Sequence, residues 1–395
     1  MAPTPPSTVW LIFLAKAART FCYGYLAVVL PLHLAALGLG AGAIGLAVAG
    51  TLGASALLTF VIGRPAERLG SRAVLVGLAG LCLVAGALLA TARTPALVVL
   101  AAMLGNVALS GSDSGPFMSI EQVLVSRAVA REGLTLRMSL YFLVALVASA
   151  LGALVVAAVP AGEGYRLLFW LFALSGGVQA LLYARLPATA ARAPLAAPRQ
   201  LPSRGFIYRI AGLFALDSFA GGFVLQSLLA YWLHVRFALT PAEIGAAFFA
   251  QQLLAACSLL IAARTARRLG LVNTMVFSHL ASNGLLIAMG FAPTPALAVG
   301  LLLARALLSQ MDIPTRQTFL MLVVQDDERE AAATVTNAGR TVAQALSPAL
   351  TGYVMQAVSL SAPFVLGGVL KIVYDLLLYD ACRRRIPVSA RGRAD

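Results

Sequence analysis

Arg64-Pro65-Ala66-Glu67-Arg68-Leu69-Gly70 stands between two long apolar runs, and Arg264-Thr265-Ala266-Arg267-Arg268-Leu269-Gly270 stands between two others about 200 residues downstream. The echo extends outward from this heptapeptide. Ile44-Gly45 returns as Ile244-Gly245, and Thr94-Pro95-Ala96-Leu97 returns as Thr294-Pro295-Ala296-Leu297. Asp113, three residues before Pro116, has a counterpart in Asp312, two before Pro314, with the spacing slipped by one. Nearly everything between these marks is apolar. A hydrophobic chain whose halves match is an internal repeat, and in membrane proteins such repeats flank a binding site near the bilayer midplane.

The chain has 395 residues, of which 60% are hydrophobic and 11% charged, with a mean hydropathy of +0.89. A soluble protein would have to place much of that apolar content on its surface, whereas a bilayer accepts about 20 apolar residues per crossing helix. The runs are continuous rather than alternating, so they predict helices and not a transmembrane barrel. The net charge of +14 does not indicate nucleic acid, because the basic residues sit in short clusters between apolar runs and form no stripe. The bias to arginine, with abundant Ala and Gly, reflects GC-rich coding rather than function. Cys22, Cys82, Cys257 and Cys382 lie in or at the ends of apolar runs, without metal spacing or a disulfide framework. The first run begins near Val9 without a basic leader and continues for about 25 residues, too long for a signal-peptide core. It reads as a retained first helix.

Twelve apolar runs follow one another, near 10–36, 42–62, 73–92, 96–125, 138–160, 165–186, 207–235, 242–262, 271–292, 296–324, 332–358 and 362–382. The break at 187–206 holds Pro187, Pro194, Pro198 and Pro202 among arginines, and such a segment reads as a linker. The expected fold is all-α and membrane-integral: a six-helix bundle over 1–186, a cytoplasmic linker, and a second six-helix bundle over 207–395, related by a pseudo-two-fold axis. Basic residues in one set of alternate loops, with the C-terminus, number 20, against 3 (Arg93, Arg166 and Arg236) in the other set. By the positive-inside rule both termini and the linker face the cytoplasm, and the number of spans is even.

The loop after the second run reads Gly63-Arg64-Pro65-Ala66-Glu67-Arg68-Leu69-Gly70-Ser71-Arg72. It resembles the signature loop of the major facilitator superfamily, G-x-x-x-D-R-x-G-R-[RK], in composition and in its place between spans two and three. Glu67 stands where the family has Asp, and Ser71-Arg72 displace its arginine pair by one. The second half carries a degraded copy. The resemblance implies a secondary transporter, and for Gly63, Glu67, Arg68, Gly70 and Arg72 a latch that steadies one access state; the alternative is a topology anchor only. The proline-containing motif of the family's drug–proton antiporters is missing from Ser149-Ala150-Leu151-Gly152-Ala153-Leu154, and so is their basic residue in span four.

Charges at bilayer depth cost about 2.5–3.5 kcal/mol on insertion scales, so they face a cavity or a partner. Lys16, Arg19 and Tyr23 share one face of span one. Asp113 and Glu121 flank Pro116 in span four, and Asp217 precedes Gly221, Gly222 and Gln226 in span seven. Arg305, Ser309, Asp312 and Arg316 form a stripe in span ten. Span eleven adds Arg340, and span twelve adds Lys371 and Asp375. The resemblance places spans one, four, seven and ten around a cavity. Arg19, Tyr23, Asp113, Asp217, Gln226, Asp312, Arg316 and Arg340 are accordingly the candidates for the substrate and proton pathway. Carboxyls at such depth are candidates to carry a proton, and a guanidinium fork suits an anionic group. The structural alternatives are that Asp312 pairs with Arg316 or Arg305, and that Lys16 and Arg19 snorkel to the cytoplasmic surface. Glu121 reads as a gate or anchor, Lys371 and Asp375 as structural, and His33, His234 and His279 as lone polar residues.

Ser112-Asp113-Ser114-Gly115-Pro116 resembles the nucleophile segment of chymotrypsin-like proteases, but it lies in a membrane helix without a suitable histidine motif. No phosphate-binding Gly-rich loop is present, so ATP does not drive the protein directly. The expectation is not an enzyme but a monomeric, alternating-access transporter of a bacterial cytoplasmic membrane, without metal or cofactor, whose partners are a small molecule, protons and lipid. Proton-coupled export of a small organic or amphipathic compound comes first, and uptake of an organic anion or sugar-like solute second. A non-transporting sensor on the same fold is the remote third.

Overall fold

The computed structural model describes residues 7–109, 115–128, 131–160, 163–187, 204–312 and 329–383. Apart from one 3-10 turn, every regular element among them is an α-helix. In chain order these are α1 (Ser7–Ala36), α2 (Ala41–Val61), α3 (Gly63–Thr91), α4 (Pro95–Leu104), α5 (Pro116–Ala128), α6 (Arg131–Val155) and α7 (Glu163–Ala184). They continue as α8 (Arg204–Gly222), α9 (Gln226–Phe237), α10 (Pro241–Leu269), α11 (Leu271–Gly290), α12 (Pro295–Ser309), α13 (Arg329–Ala357) and α14 (Ala362–Arg383).

Nine spans among the described residues are long and apolar enough to cross a bilayer by themselves: α1, α2, α3, α6, α7, α8 with α9, α10, α11 and α14. The other three of the twelve are shorter or more polar. Span four is split into α4 and α5, after Asn106 turns into the left-handed region at φ 49°. Span ten begins with α12, and span eleven is α13. Span seven also bends, because Leu225 is extended (ψ 143°) between α8 and α9.

Local chemistry sets the boundaries. Thr94 and Thr294 are extended caps, each followed by proline at the first helical position, where the missing N–H would find no partner anyway. α10 opens on a capping box: Thr240 N–H donates to Glu243 Oε2 at 2.7 Å, and Glu243 N–H donates to Thr240 Oγ1 at 3.2 Å. The repeat is written into the backbone. Gly70 bends α3 at φ 83°, ψ 153°, and Gly270, between α10 and α11, has φ 85°, ψ 158°. Both conformations require glycine.

The chain forms two compact units, Met1–Leu195 with Leu225–Phe249, and Ala196–Val224 with Ala250–Asp395. In the first, α1 packs on α6, α7 and α9, and α3 packs on α7. α1 and α6 touch backbone to backbone at Gly24 and Gly152, where a Cβ would overlap the carbonyl oxygens of Ser149 and Phe21. Small residues at such crossings let membrane helices approach closely. In the second unit, α8 packs on α13 and α14, and α11 on α12 and α14. Phe206, Ile210 and Phe214 of α8 meet Val272, Met275 and Val276 of α11 and Tyr374 and Leu378 of α14 in one apolar core. Leu167, Trp170, Leu174, Val178 and Leu181 make an exposed apolar stripe along α7, the surface a lipid-facing helix presents.

Candidate functional site

Among the described residues, each unit buries a polar cluster that ties its helices together. In the first unit the centre is Arg19. It lies two-fifths of the way along α1 and is 0% exposed, so it does not reach a headgroup. Its fork grips Glu121 of α5, Nη2 to Oε2 at 2.8 Å and Nη1 to Oε1 at 3.2 Å. Nη1 also donates to the Tyr183 hydroxyl at 2.8 Å and to Gln179 Oε1 at 3.3 Å, both on α7. Each carboxylate oxygen takes a second hydrogen bond, Oε2 from Tyr141 of α6 at 2.6 Å and Oε1 from Tyr183. The Phe117 ring underlies the guanidinium, 4.2 Å from its central carbon, and Lys16 holds its ammonium 3.8 Å from the centre of the Tyr141 ring. Charge-assisted bonds and cation–π contacts thus replace the water both charges have lost.

The alternative that Lys16 and Arg19 snorkel does not describe these side chains: both are fully buried, because α5, α6 and α7 supply aromatic faces and acceptors within their reach. Glu121, read as a gate or anchor, is the hub of the cluster. Tyr23, one turn beyond Arg19, is buried and donates to the Asn106 carbonyl at 3.0 Å, at the break in span four.

In the second unit Asp217 of α8 is 6% exposed. Its Oδ1 accepts from Lys371 Nζ of α14 at 2.7 Å, and His279 Nε2 of α11 stands 3.8 Å from the same oxygen. His279 Nδ1 lies 2.7 Å from Asp375 Oδ1, and Asn283 Nδ2 donates to Asp375 Oδ2 at 2.9 Å. His279 is thus not the lone polar residue expected. Lys371 and Asp375, read as structural, join the candidate Asp217 in one network. Beside it, Arg340 Nε of α13 donates to Ser218 Oγ at 3.0 Å.

Asp312 is buried just after α12, and Gln226 is buried as the first residue of α9. Asp113 and Arg316 lie outside the described residues, as do the side chains of Arg64 and Glu67 and the surroundings of Gly63. Arg68 and Arg72 are exposed on either side of the buried Gly70. Among the described residues no three His, Cys, Asp or Glu side chains cluster as a metal site would need.

A bundle of membrane helices with buried, hydrogen-bonded ion pairs defines the class: a multi-pass membrane protein with a transporter's architecture. The chain matches the Major Facilitator Superfamily over residues 12–235 and again over 210–394, and it belongs to that superfamily. An uncharacterized membrane protein of Saccharomyces cerevisiae is 23% identical over 416 residues, spanning 93% of this chain and 92% of its own length. Among solved structures, a bacterial homolog to the human lysosomal transporter Spinster, inward-facing and unoccupied, superposes with a TM-score of 0.78 at 13% identity, over 97% of this chain and 98% of its own. A D-xylose–proton symporter gives 0.76 at 14% identity (96% and 98%). A nucleoside transporter gives 0.76 at 13% (95% and 99%). These structural likenesses are of fold.

Proposed function

We propose that the protein is a secondary transporter that exports a small organic or amphipathic compound by alternating access, driven by protons. The observation that carries the reading is the Arg19–Glu121 pair, a fully buried carboxylate held against a fixed cation in a membrane helix. One proton on Glu121 removes the charge that holds the pair, so proton binding is tied to the packing of α1, α5, α6 and α7. Asp217 with Lys371 offers a second such pair. The aromatic setting of Arg19 (Phe117, Tyr141 and Tyr183) suits a flat or amphipathic compound. Asp113 and Asp312 keep their place as proton carriers on the argument of their matching positions. The arginine count supports a bacterial inner-membrane topology with both termini in the cytoplasm.

A second reading, uptake of an organic anion with protons, is favoured by the same fork. The way Arg19 grips a carboxylate is the way it would grip a carboxylate substrate once Glu121 is neutral. The test begins with a thermal-shift screen of the purified protein against metabolites and drugs at two pH values, since a ligand of the folded state raises its apparent stability. Hits then enter inverted vesicles under a pH gradient. Accumulation in the lumen that is lost in Glu121→Gln supports proton-driven export. Depletion from the lumen supports uptake, and binding without flux removes both readings in favour of a sensor.

A further inference from the structure

We infer that His279 and Asp375 form a proton-binding pair inside the second unit, apart from Arg19 and Glu121. Asp375 is 1% exposed. Among the described residues its carboxylate has two polar partners, the imidazole of His279 and the amide of Asn283. Asn283 is neutral. Lys371 lies one turn earlier on the same helix, and its ammonium is committed to Asp217 at 2.7 Å. A buried carboxylate without a hydrogen-bonded cation is costly, so the pair holds a proton between them. That proton sits on Nδ1 of the neutral imidazole, and Nδ1–H donates to ionised Asp375.

The second proton has a defined place. With Nδ1 occupied by Asp375, neutral His279 turns the lone pair of Nε2 toward Asp217 Oδ1, 3.8 Å away. A lone pair facing a carboxylate oxygen is repulsive. A proton arriving from water at Nε2 converts that contact into an attraction between an imidazolium and Asp217, while Nδ1–H stays on Asp375. No other bond forms or breaks. Among the described residues, the other charged groups around the imidazole are Lys371, bound to Asp217, and Arg305 of α12, whose charge acts on Asp217. The Tyr374 ring closes one side, 6.0 Å from the imidazole and perpendicular to it. Protonation therefore changes the hold of α11 and α14 on α8. The part this plays in transport rests on the proton-coupled reading above, but the binding of the proton does not.

The test uses the full-length protein in nanodiscs, labelled with 15N-histidine, with the His279 signals assigned by their loss in His279→Asn. The expected result is a transition from neutral to doubly protonated imidazole as the sample is acidified across the range in which histidines ordinarily titrate, displaced in Asp375→Asn. Asp375→Glu keeps the carboxylate but moves it by a methylene. It displaces the transition less, and it carries the test if Asp375→Asn does not fold. No transition in that range, or one at the same pH in the parent and the Asp375 variants, overturns the pair whatever the protein transports. A titrating pair in a protein whose flux ignores the pH gradient upholds the pair and removes the proton-coupled reading.

Discussion

Arg19 and Glu121 show how two charges persist at bilayer depth. Each is fully enclosed, and each oxygen of the acid is satisfied twice. Removing one partner leaves the other charge buried without compensation. Glu121→Ala is therefore expected to destabilise the protein by about 3–5 kcal/mol, read as a fall in the thermal unfolding midpoint in detergent. The double replacement Arg19→Met with Glu121→Met should recover most of that loss, because an apolar pair of similar volume pays no desolvation. Equal instability in the double variant would mean that the surrounding tyrosines, not the ion pair, dominate the site. Tyr141→Phe keeps the ring and removes the 2.6 Å bond to Glu121 Oε2, and should cost about 1.5–3 kcal/mol, the worth of a hydrogen bond to a charged group.

At the scale of elements, close helix crossings decide what may change. Gly152 of α6 lies against the Phe21 carbonyl of α1, whereas Gly53 of α2 has open space where a Cβ would go. Gly152→Val should abolish the monodisperse species seen on size exclusion. Gly53→Ala should leave it intact, with stability unchanged or raised by about 0.4–1 kcal/mol through the less flexible unfolded chain. Similar behaviour of the two variants would refute the α1–α6 contact. Such crossings set the limit of what periodicity can tell. The twelve runs, the bend at the Arg64–Gly70 loop and its copy were legible, because hydropathy and glycine act locally along the chain. Of the polar stripes, Lys371 and Asp375 on α14 were legible as residues four apart, whereas the same spacing in Ser175, Gln179 and Tyr183 on α7 and in His279 and Asn283 on α11 was a signal missed. Which stripe faces which was not legible, since the partners lie far apart in sequence: His279 meets Asp375 and Arg19 meets Glu121 only through helix packing. Lys16 was misread for the same reason, as nothing near it in sequence announces the Tyr141 ring.

For the whole molecule, the repeat and the arginine distribution make one joint statement about topology. Six spans separate the Arg68 loop from the Arg268 loop. An even number of crossings returns the chain to the side from which it started, so the two copies are expected on one face of the membrane. The same holds for the Thr94 and Thr294 turns on the other face. Arginine density predicts that the Arg68 and Arg268 face is cytoplasmic. Single cysteines at Arg68, Arg93, Arg268 and Pro293, all exposed positions, test both parts in a background lacking Cys22, Cys82, Cys257 and Cys382. A membrane-impermeant thiol reagent should label Arg93→Cys and Pro293→Cys in intact cells, and Arg68→Cys and Arg268→Cys only in inverted vesicles. Labelling of all four patterns reversed would keep the even repeat and overturn the charge rule for this chain. Labelling of Arg68→Cys and Arg268→Cys from opposite sides would mean that one of the interrupted spans, α4 with α5 or α8 with α9, turns back within the bilayer instead of crossing it.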